Sequence, residues 1–376
     1  MKFGNKYTSL INWLKQAGKT KAILSDSLAD DNNKTKRLDL LNTILKLPTA
    51  RAKYIEADKF NLHNPIIKNL IKELGSRTKK YSFRIAPQET IAGAFPVIKK
   101  YGLTFAQFEK YLKKLRLPKD KTTIRITDYR DTIKYAAIII VSPDGIIGEV
   151  ARGTLYHLTY AIPLKSADKI TAFYQTPGGH LTLVSPTPEL NTLAATVINY
   201  LYLKNNSVKQ KLRRQGFRIY GNYLAGYYEY VEGADGDGVF TDMNLKKITT
   251  NINVKAVIKC LKKQAGKGNP LLRGLPVNPA PKIVTGNIQL INDQTINKFR
   301  AGNILLCKRT TVTYLPAMKR AKAIITELGG LTSHPAIIAR ELKIPCLVGI
   351  PGVTKKLRDK TQVQINMAEG TIKPTS

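Results

Sequence analysis

The run Thr326-Glu-Leu-Gly-Gly-Leu-Thr-Ser-His-Pro-Ala-Ile-Ile-Ala-Arg-Glu-Leu-Lys-Ile-Pro345 gathers the residue types that phosphoryl chemistry on a nitrogen requires. A strand is predicted to end at Thr326, a glycine turn to follow at Gly329-Gly330, and a helix to open at His334. Thr332 and Ser333 offer N-cap hydroxyls. Pro335 suits the first helical turn, where its missing N–H costs nothing, and Ala336, Ile337, Ile338 and Leu342 anchor the helix. Unpaired amides and the dipole at a helix start favour an anion. They also disfavour imidazolium, so His334 is expected to be neutral and nucleophilic. Its ring nitrogen can then attack phosphorus, and the same amides and hydroxyls would stabilise the phosphoimidazole. The competing reading is a helix-capping histidine beside a structural turn.

The elements positioning this run read as a small α/β unit. Short β-branched strands are expected at Val284–Ile291, Ile304–Cys307, Ala323–Thr326, Cys346–Gly349 and Val363–Asn366, with one helix at about His334–Leu342. Before them, Gln264–Pro281 is dense in Pro and Gly and reads as a linker. Earlier in the chain, Ile66–Leu74 has helical spacing closed by Gly75, and Leu103–Leu115 is a second helix. Tyr81–Ala86 and Thr123–Thr127 alternate as strands. Lys134–Val141, Pro143-Asp144-Gly145 and Ile146–Val150 form one hairpin, and Tyr227–Glu232 with Val239-Phe240 a second.

The histidine run resembles the mobile phosphohistidine domain of phosphoenolpyruvate synthase, pyruvate phosphate dikinase and their relatives. Gly329, Gly330, Thr332, Ser333, His334, Ala336, Ala339, Arg340, Glu341, Ile344 and Pro345 carry the likeness, which spans about 275–375. Pro335 stands where the family has Ala. The resemblance implies that His334 accepts the phosphoryl group and that Thr332 holds the imidazole or its phosphate. Arg340 and Glu341 read as structural.

In that family the donor is an ATP-grasp domain that passes on the β-phosphoryl group of ATP. Leu47-Pro48 through Phe60 resembles its early segment and helix entrance, and Tyr81-Ser-Phe-Arg84 its phosphate-binding strand. Ile85-Ala86-Pro87 replaces the family's Ser-Ser-Ala. Ile147-Gly148-Glu149 and Gly153 resemble the hairpin bearing an acidic residue. Tyr228-Glu229-Tyr230 and Val239-Phe240-Thr241-Asp242 resemble the late strand pair bearing the Mg²⁺-binding carboxylate; Thr241-Asp242-Met243 replaces the family's Gln-x-Arg, and Asp242 can supply a metal oxygen in place of the Gln. The resemblance implies nucleotide contacts from Arg84, Glu149 and Glu229, and Mg²⁺ held by Glu229 and Asp242. It thus implies ATP and Mg²⁺ as cofactors, with the four residues converging on one cleft. The family continues into a barrel that binds pyruvate or phosphoenolpyruvate. This sequence ends at Ser376, so the acceptor is expected to be a separate partner, a small molecule between the lobes, or absent.

The expected architecture is α/β. An α+β, ATP-grasp-like two-lobed domain over 1–260 is followed by a linker over 261–281 and a small β/β/α swivelling phosphohistidine domain over 282–376. The expected function is an ATP-dependent phosphotransferase working through His334 on an unknown acceptor. The alternatives are a degenerate nucleotide-binding member without turnover, and a basic nucleic-acid-binding protein. The 61 Lys and Arg against 26 Asp and Glu give a formal charge of +35, yet the excess runs through all parts of the chain. Compositional bias accounts for it, with Lys204–Arg218 the best nucleic-acid candidate. Three cysteines without a CxxC exclude a disulfide scaffold. His63, His157 and His180 share no metal-ligand spacing. With no signal peptide and no apolar run of membrane-spanning length, no membrane partner and a cytoplasmic location are expected.

Overall fold

The computed structural model describes residues 14–19, 33–34, 36–50, 52–75, 78–87, 98–162, 170–184, 187–245, 252–265, 272–278 and 281–375. It is an α/β protein with three principal sheets. The first is antiparallel, in the order β1-β4-β2-β3, from β1 (Ala52–Glu56), β2 (Tyr81–Pro87), β3 (Ile98–Leu103) and β4 (Thr122–Asp128). Alternation decides its two faces. Tyr81, Phe83, Ile85, Ile124 and Ile126 point into a core with Phe60, Ile67, Phe105 and Phe108, where the Phe83 and Phe108 rings stack at 3.8 Å. The helices Pro65–Leu74 and Phe105–Lys113 cover that core. The first ends at Gly75, whose φ of 102° suits glycine, and the second opens on a Thr104–Gln107 capping box. The expected helix entrance after Leu47-Pro48 is instead strand β1, and the helix begins only at Pro65.

The central sheet is also antiparallel. It uses β5 (Ile133–Ser142), β6 (Gly145–Arg152), β7 (Ile170–Gln175) and β8 (Thr182–Leu183). A two-stranded ribbon of β9 (Ile219–Tyr220) and β10 (Tyr223–Leu224) precedes β11 (Gly226–Gly233) and β12 (Gly238–Asn244). The sheet order is β12-β11-β5-β6-β7-β8. The expected hairpins are β5–β6 and β11–β12. Both faces of this sheet are covered, which is why β5 reads as an unbroken apolar run. One face packs Ala137, Ile139, Val141 and Tyr228 against Leu38, Leu41, Leu193 and Val197. The other packs Ala136, Ile138, Ile140 and Ile147 against the helix Val254–Ala265 and against the C-terminal unit.

That C-terminal unit is built on a mixed eight-stranded sheet, β13-β20-β19-β15-β16-β17-β18-β14. Its strands are β13 (Leu272–Arg273), β14 (Leu275–Asn278), β15 (Ile283–Leu290), β16 (Ile304–Cys307), β17 (Ala323–Thr326), β18 (Cys346–Val348), β19 (Gln362–Asn366) and β20 (Thr371–Pro374). The linker expectation over 261–281 needs correction, because β13 and β14 are edge strands of this sheet. Pro276 is tolerated since β14 lies at an edge. Gly274 is required because an added Cβ would strike Ile350 and the Val348 carbonyl. Residues 266–271 and 279–280 of the expected linker, and 1–13 and 20–32 of the polar N-terminal stretch, lie outside the described residues. Among the described residues no helix is long and apolar enough to cross a membrane.

Candidate functional site

Register assembles an acidic row on the central sheet. Asp242 pairs with Glu229, Glu229 with Ile138, and Ile138 with Glu149, across β12, β11, β5 and β6. Directly opposed residues of antiparallel strands share a face, and this face is the one the C-terminal unit covers. The Tyr227 hydroxyl, on the same face, donates to Glu229 Oε1 at 2.7 Å. Burial raises the Tyr227 phenol well above its ordinary value, and the charges of Glu229, Asp242 and Glu149 push the same way. Lys34 Nζ lies 3.0 Å from Asp242 Oδ2, while Asp242 Oδ1 is buried with no hydrogen-bond partner. Arg37 Nη2 donates to the Met243 carbonyl at 2.9 Å and ties the 36–45 helical stretch to β12.

A basic row stands on the first sheet. Lys99 pairs with Arg84 and Arg84 with Arg125, whose other neighbour is Tyr54 on β1. All four lie on the face opposite the aromatic core. From here tyrosines lead to the histidine. Tyr101, close to Arg84 and Arg125, hydrogen-bonds Tyr156. The Tyr156 and Tyr160 rings lie 5.5 Å apart, and Tyr160 meets His334 edge-on at 4.5 Å. Burial, then Tyr156 and Glu229, push the Tyr160 phenol up to about 12, with Lys34 opposing. Tyr160 is therefore in contact with His334 and within electrostatic range of Glu229 and of Lys34, the partner of Asp242.

The histidine loop is docked on Glu149. Its Oε1 accepts from the Leu331 amide at 2.9 Å and its Oε2 from the Thr332 hydroxyl at 3.1 Å. Each glycine has its own reason. Gly329 has a φ of 108°, and a Cβ on Gly330 would fall inside the Glu149 carboxylate. Arg340 is buried and donates to the Leu331 carbonyl at 2.6 Å, so it is structural, as its place along the helix suggested. Burial lowers its pKa to about 10.

Three assignments change. Thr332 holds Glu149 rather than the imidazole. Ser333 is the N-cap residue of the helix His334–Glu341 but makes no side-chain cap; its hydroxyl donates to Gly330 O at 2.8 Å and tightens the turn. Glu149 is fully buried, with both oxygens taken by the loop, so in this arrangement it faces the loop and not an open nucleotide cleft. Sequence reasoning missed Lys34, Arg125, Tyr160 and Tyr227. Arg125, a charge between Ile124 and Ile126, marks the polar face of a strand, and Tyr156 and Tyr160 lie one helical turn apart. Nothing local flagged Lys34. Of the basic run, Lys204, Lys211, Arg213, Arg214 and Arg218 are exposed, on and around the helix Asn206–Arg214.

Residues 299–370 match the family model of the PEP-utilising enzyme, mobile domain. The chain is 35% identical over 164 residues to a probable phosphoenolpyruvate synthase of Archaeoglobus fulgidus, covering 43% of this chain and 21% of that protein. It is 38% identical over 106 residues to the phosphoenolpyruvate synthase of Aeropyrum pernix, covering 28% of this chain and 13% of that one. Over 103 residues it is 43% identical to the Pyrococcus furiosus phosphoenolpyruvate synthase, covering 27% of this chain and 12% of the relative. The chain thus spans only 12–21% of the length of these relatives. The solved structure of the ATP-grasp ligase PsnB, complexed with minimal precursor, Mg and ADP, overlaps 63% of this chain and 60% of its own. The identity is 14% and the TM-score 0.28. The match to the mobile-domain model lies within the C-terminal unit.

Proposed function

We propose that the chain is an ATP-dependent phosphotransferase in which His334 carries the phosphoryl group from ATP to a separate acceptor. The observation that supports it most is the contact of His334 with Tyr160, whose phenol lies in the field of Glu229 and Lys34. Phosphoryl transfer needs little covalent work from a protein and much positioning and charge. In this reading a neutral ring nitrogen of His334 attacks phosphorus. Its lone pair forms the N–P bond at the β-phosphorus as the α–β bridging P–O bond breaks and the electrons leave on AMP; water then removes the terminal phosphate as inorganic phosphate, and the ring proton leaves to solvent. Arg84, Arg125 and Lys99 hold phosphate oxygens.

Among the described residues no three His, Cys, Asp or Glu side chains converge to hold a metal alone. Two carboxylates plus substrate oxygens is what Mg²⁺ takes. The buried Asp242 Oδ1 and the cation already drawn to Asp242 Oδ2 suit that ion. When bound between Glu229 and Asp242 it would neutralise charge developing on the phosphates.

The proposal includes the division into a two-lobed, ATP-grasp-like part over 1–260 and a mobile domain over 282–376 that swings between donor and acceptor. The test is intact-mass measurement after incubation with Mg·ATP. An acid-labile, base-stable gain of one phosphoryl group is expected, and its absence overturns the reading. A nucleotide-binding protein without turnover is the second reading. It is favoured by Ile85-Ala86-Pro87, which lacks the hydroxyl donors of the family's Ser-Ser-Ala, and nucleotide binding without any label would establish it.

A further inference from the structure

We infer that Glu149 is a positioning residue, a carboxylate latch on the central sheet that docks the Gly329–Ser333 loop and sets where His334 stands. The inference takes its purpose from the proposed phosphotransfer, but the latch itself is a matter of geometry. A fully buried carboxylate is costly unless its oxygens are satisfied. Glu149 meets that condition through the Leu331 amide and the Thr332 hydroxyl, which arrive from a strand turn 182 and 183 residues later. The fit is reciprocal. The one position where the loop passes over the carboxylate, Gly330, has no room for a side chain, and the nearest atoms to an added Cβ all belong to Glu149. Arg340 fixes the other side of the loop by holding the Leu331 carbonyl. The loop is therefore gripped by its amide from β6 and by its carbonyl from its own helix. His334, three residues beyond Leu331, is delivered to Tyr160 by that grip.

The second glycine thereby acquires a reason separate from turn geometry. Gly330, unlike Gly329, is not among the residues of positive φ, so alanine is compatible with its backbone. Gly330→Ala should leave the C-terminal domain foldable, while the added methyl group would meet the Glu149 carboxylate on docking. This predicts a specific non-additivity.

Two readouts are used on the full chain, hydrogen exchange at the Leu331 amide without nucleotide and His334 labelling with Mg·ATP. Glu149→Ala strips the acceptor from two buried donors, so Leu331 protection should fall and labelling should slow by roughly tenfold or more. Gly330→Ala should do the same with the thermal transition of the C-terminal domain retained. The double variant Glu149→Ala, Gly330→Ala should be no worse than Glu149→Ala alone, because the clash has lost its partner. Glu149→Gln keeps an acceptor for the Leu331 amide and should restore protection. Multiplicative losses in the double variant, or Leu331 protection unchanged in Gly330→Ala, would overturn the latch. If the wild type never labels while protection follows Glu149 in this pattern, the phosphotransfer reading fails and the latch stands.

Discussion

The histidine loop and the carboxylate row meet in space but were made differently. The loop is one continuous run of residues, positioned by a turn, a proline and a helix start that neighbours in sequence dictate. The row is Asp242, Glu229, Ile138 and Glu149, brought side by side only by the pairing of four strands. A local motif survives as long as its turn does. A row depends on register, and a slip of one residue on any strand would send its member to the opposite face. The bulge between Glu229 and Tyr230 shows how near that limit β11 lies. Chemistry on the loop should therefore fail by losing a group, and chemistry on the row by losing alignment.

The sharpest expected effect is on the loop. Replacing His334 by Ala or Gln should abolish acid-labile labelling, since it removes the ring that meets Tyr160. Intact mass reads this directly, and full labelling in either variant would remove the loop from the chemistry. The next effect belongs to the row. Glu229→Gln and Asp242→Asn should each lower labelling roughly a hundredfold, the scale on which one electrostatic group acts in a transition state. Ile138, the apolar member of the same row, provides the contrast. Ile138→Val should cost about 1 kcal/mol of stability in denaturant unfolding with labelling kept. If Ile138→Val erased labelling while Asp242→Asn did not, alignment rather than charge would govern the row.

This difference also decides what was readable without coordinates. The helix at His334, the Gly75 cap, the two hairpins and the α/β class were legible because each is signalled within a dozen residues. Even so, the partner of Gly330 lay out of sight, and a glycine pair reads the same whether it needs φ freedom or clearance for a carboxylate. Glu149 was visible as an acidic residue of a hairpin, but its contacts come from Leu331 and Thr332, a separation no local pattern encodes. The linker over 261–281 misled for the same reason. Pro276 and Gly274 mark disorder in isolation, and only the edge position of β14 and the approach of Ile350 turn them into sheet residues.

A smaller effect tests how the loop is held on its own side. Thr332→Val removes a hydrogen bond to a charged acceptor, at a cost of about 1.5–3 kcal/mol, and should slow labelling while the domain stays folded. Arg340→Lys keeps a charge but loses the planar reach to the Leu331 carbonyl. It should lower the thermal midpoint more than it lowers labelling at a temperature where the chain is folded. Equal losses of both in the two variants would mean that the grip on the loop cannot be separated from the stability of the domain.

The mildest expected effect is a dependence of docking on pH, and it sets the two regions directly against each other. Burial raises the Glu149 carboxyl above its ordinary 4.5, opposed by hydrogen bonds from Leu331 and Thr332 and by the Arg340 charge. The groups facing it are Arg340 from the histidine helix and Tyr227 from β11, whose phenol stays neutral because it too is raised. A carboxyl with a higher pKa docked than free takes up a proton on docking. Its contribution is fully present below the free value and is lost as pH rises through the docked one. Docking should therefore weaken as pH climbs from about 4.5, by no more than about 1.4 kcal/mol per pH unit for one proton. Glu149→Gln, which resembles the protonated acid, should show no such slope. The measurement is Leu331 amide protection across that range, corrected for intrinsic exchange. Protection that strengthens with pH in the wild type, or an equal slope in Glu149→Gln, would place the pH dependence elsewhere. A flat variant beside a falling wild type would assign it to the single carboxylate on which loop and row meet.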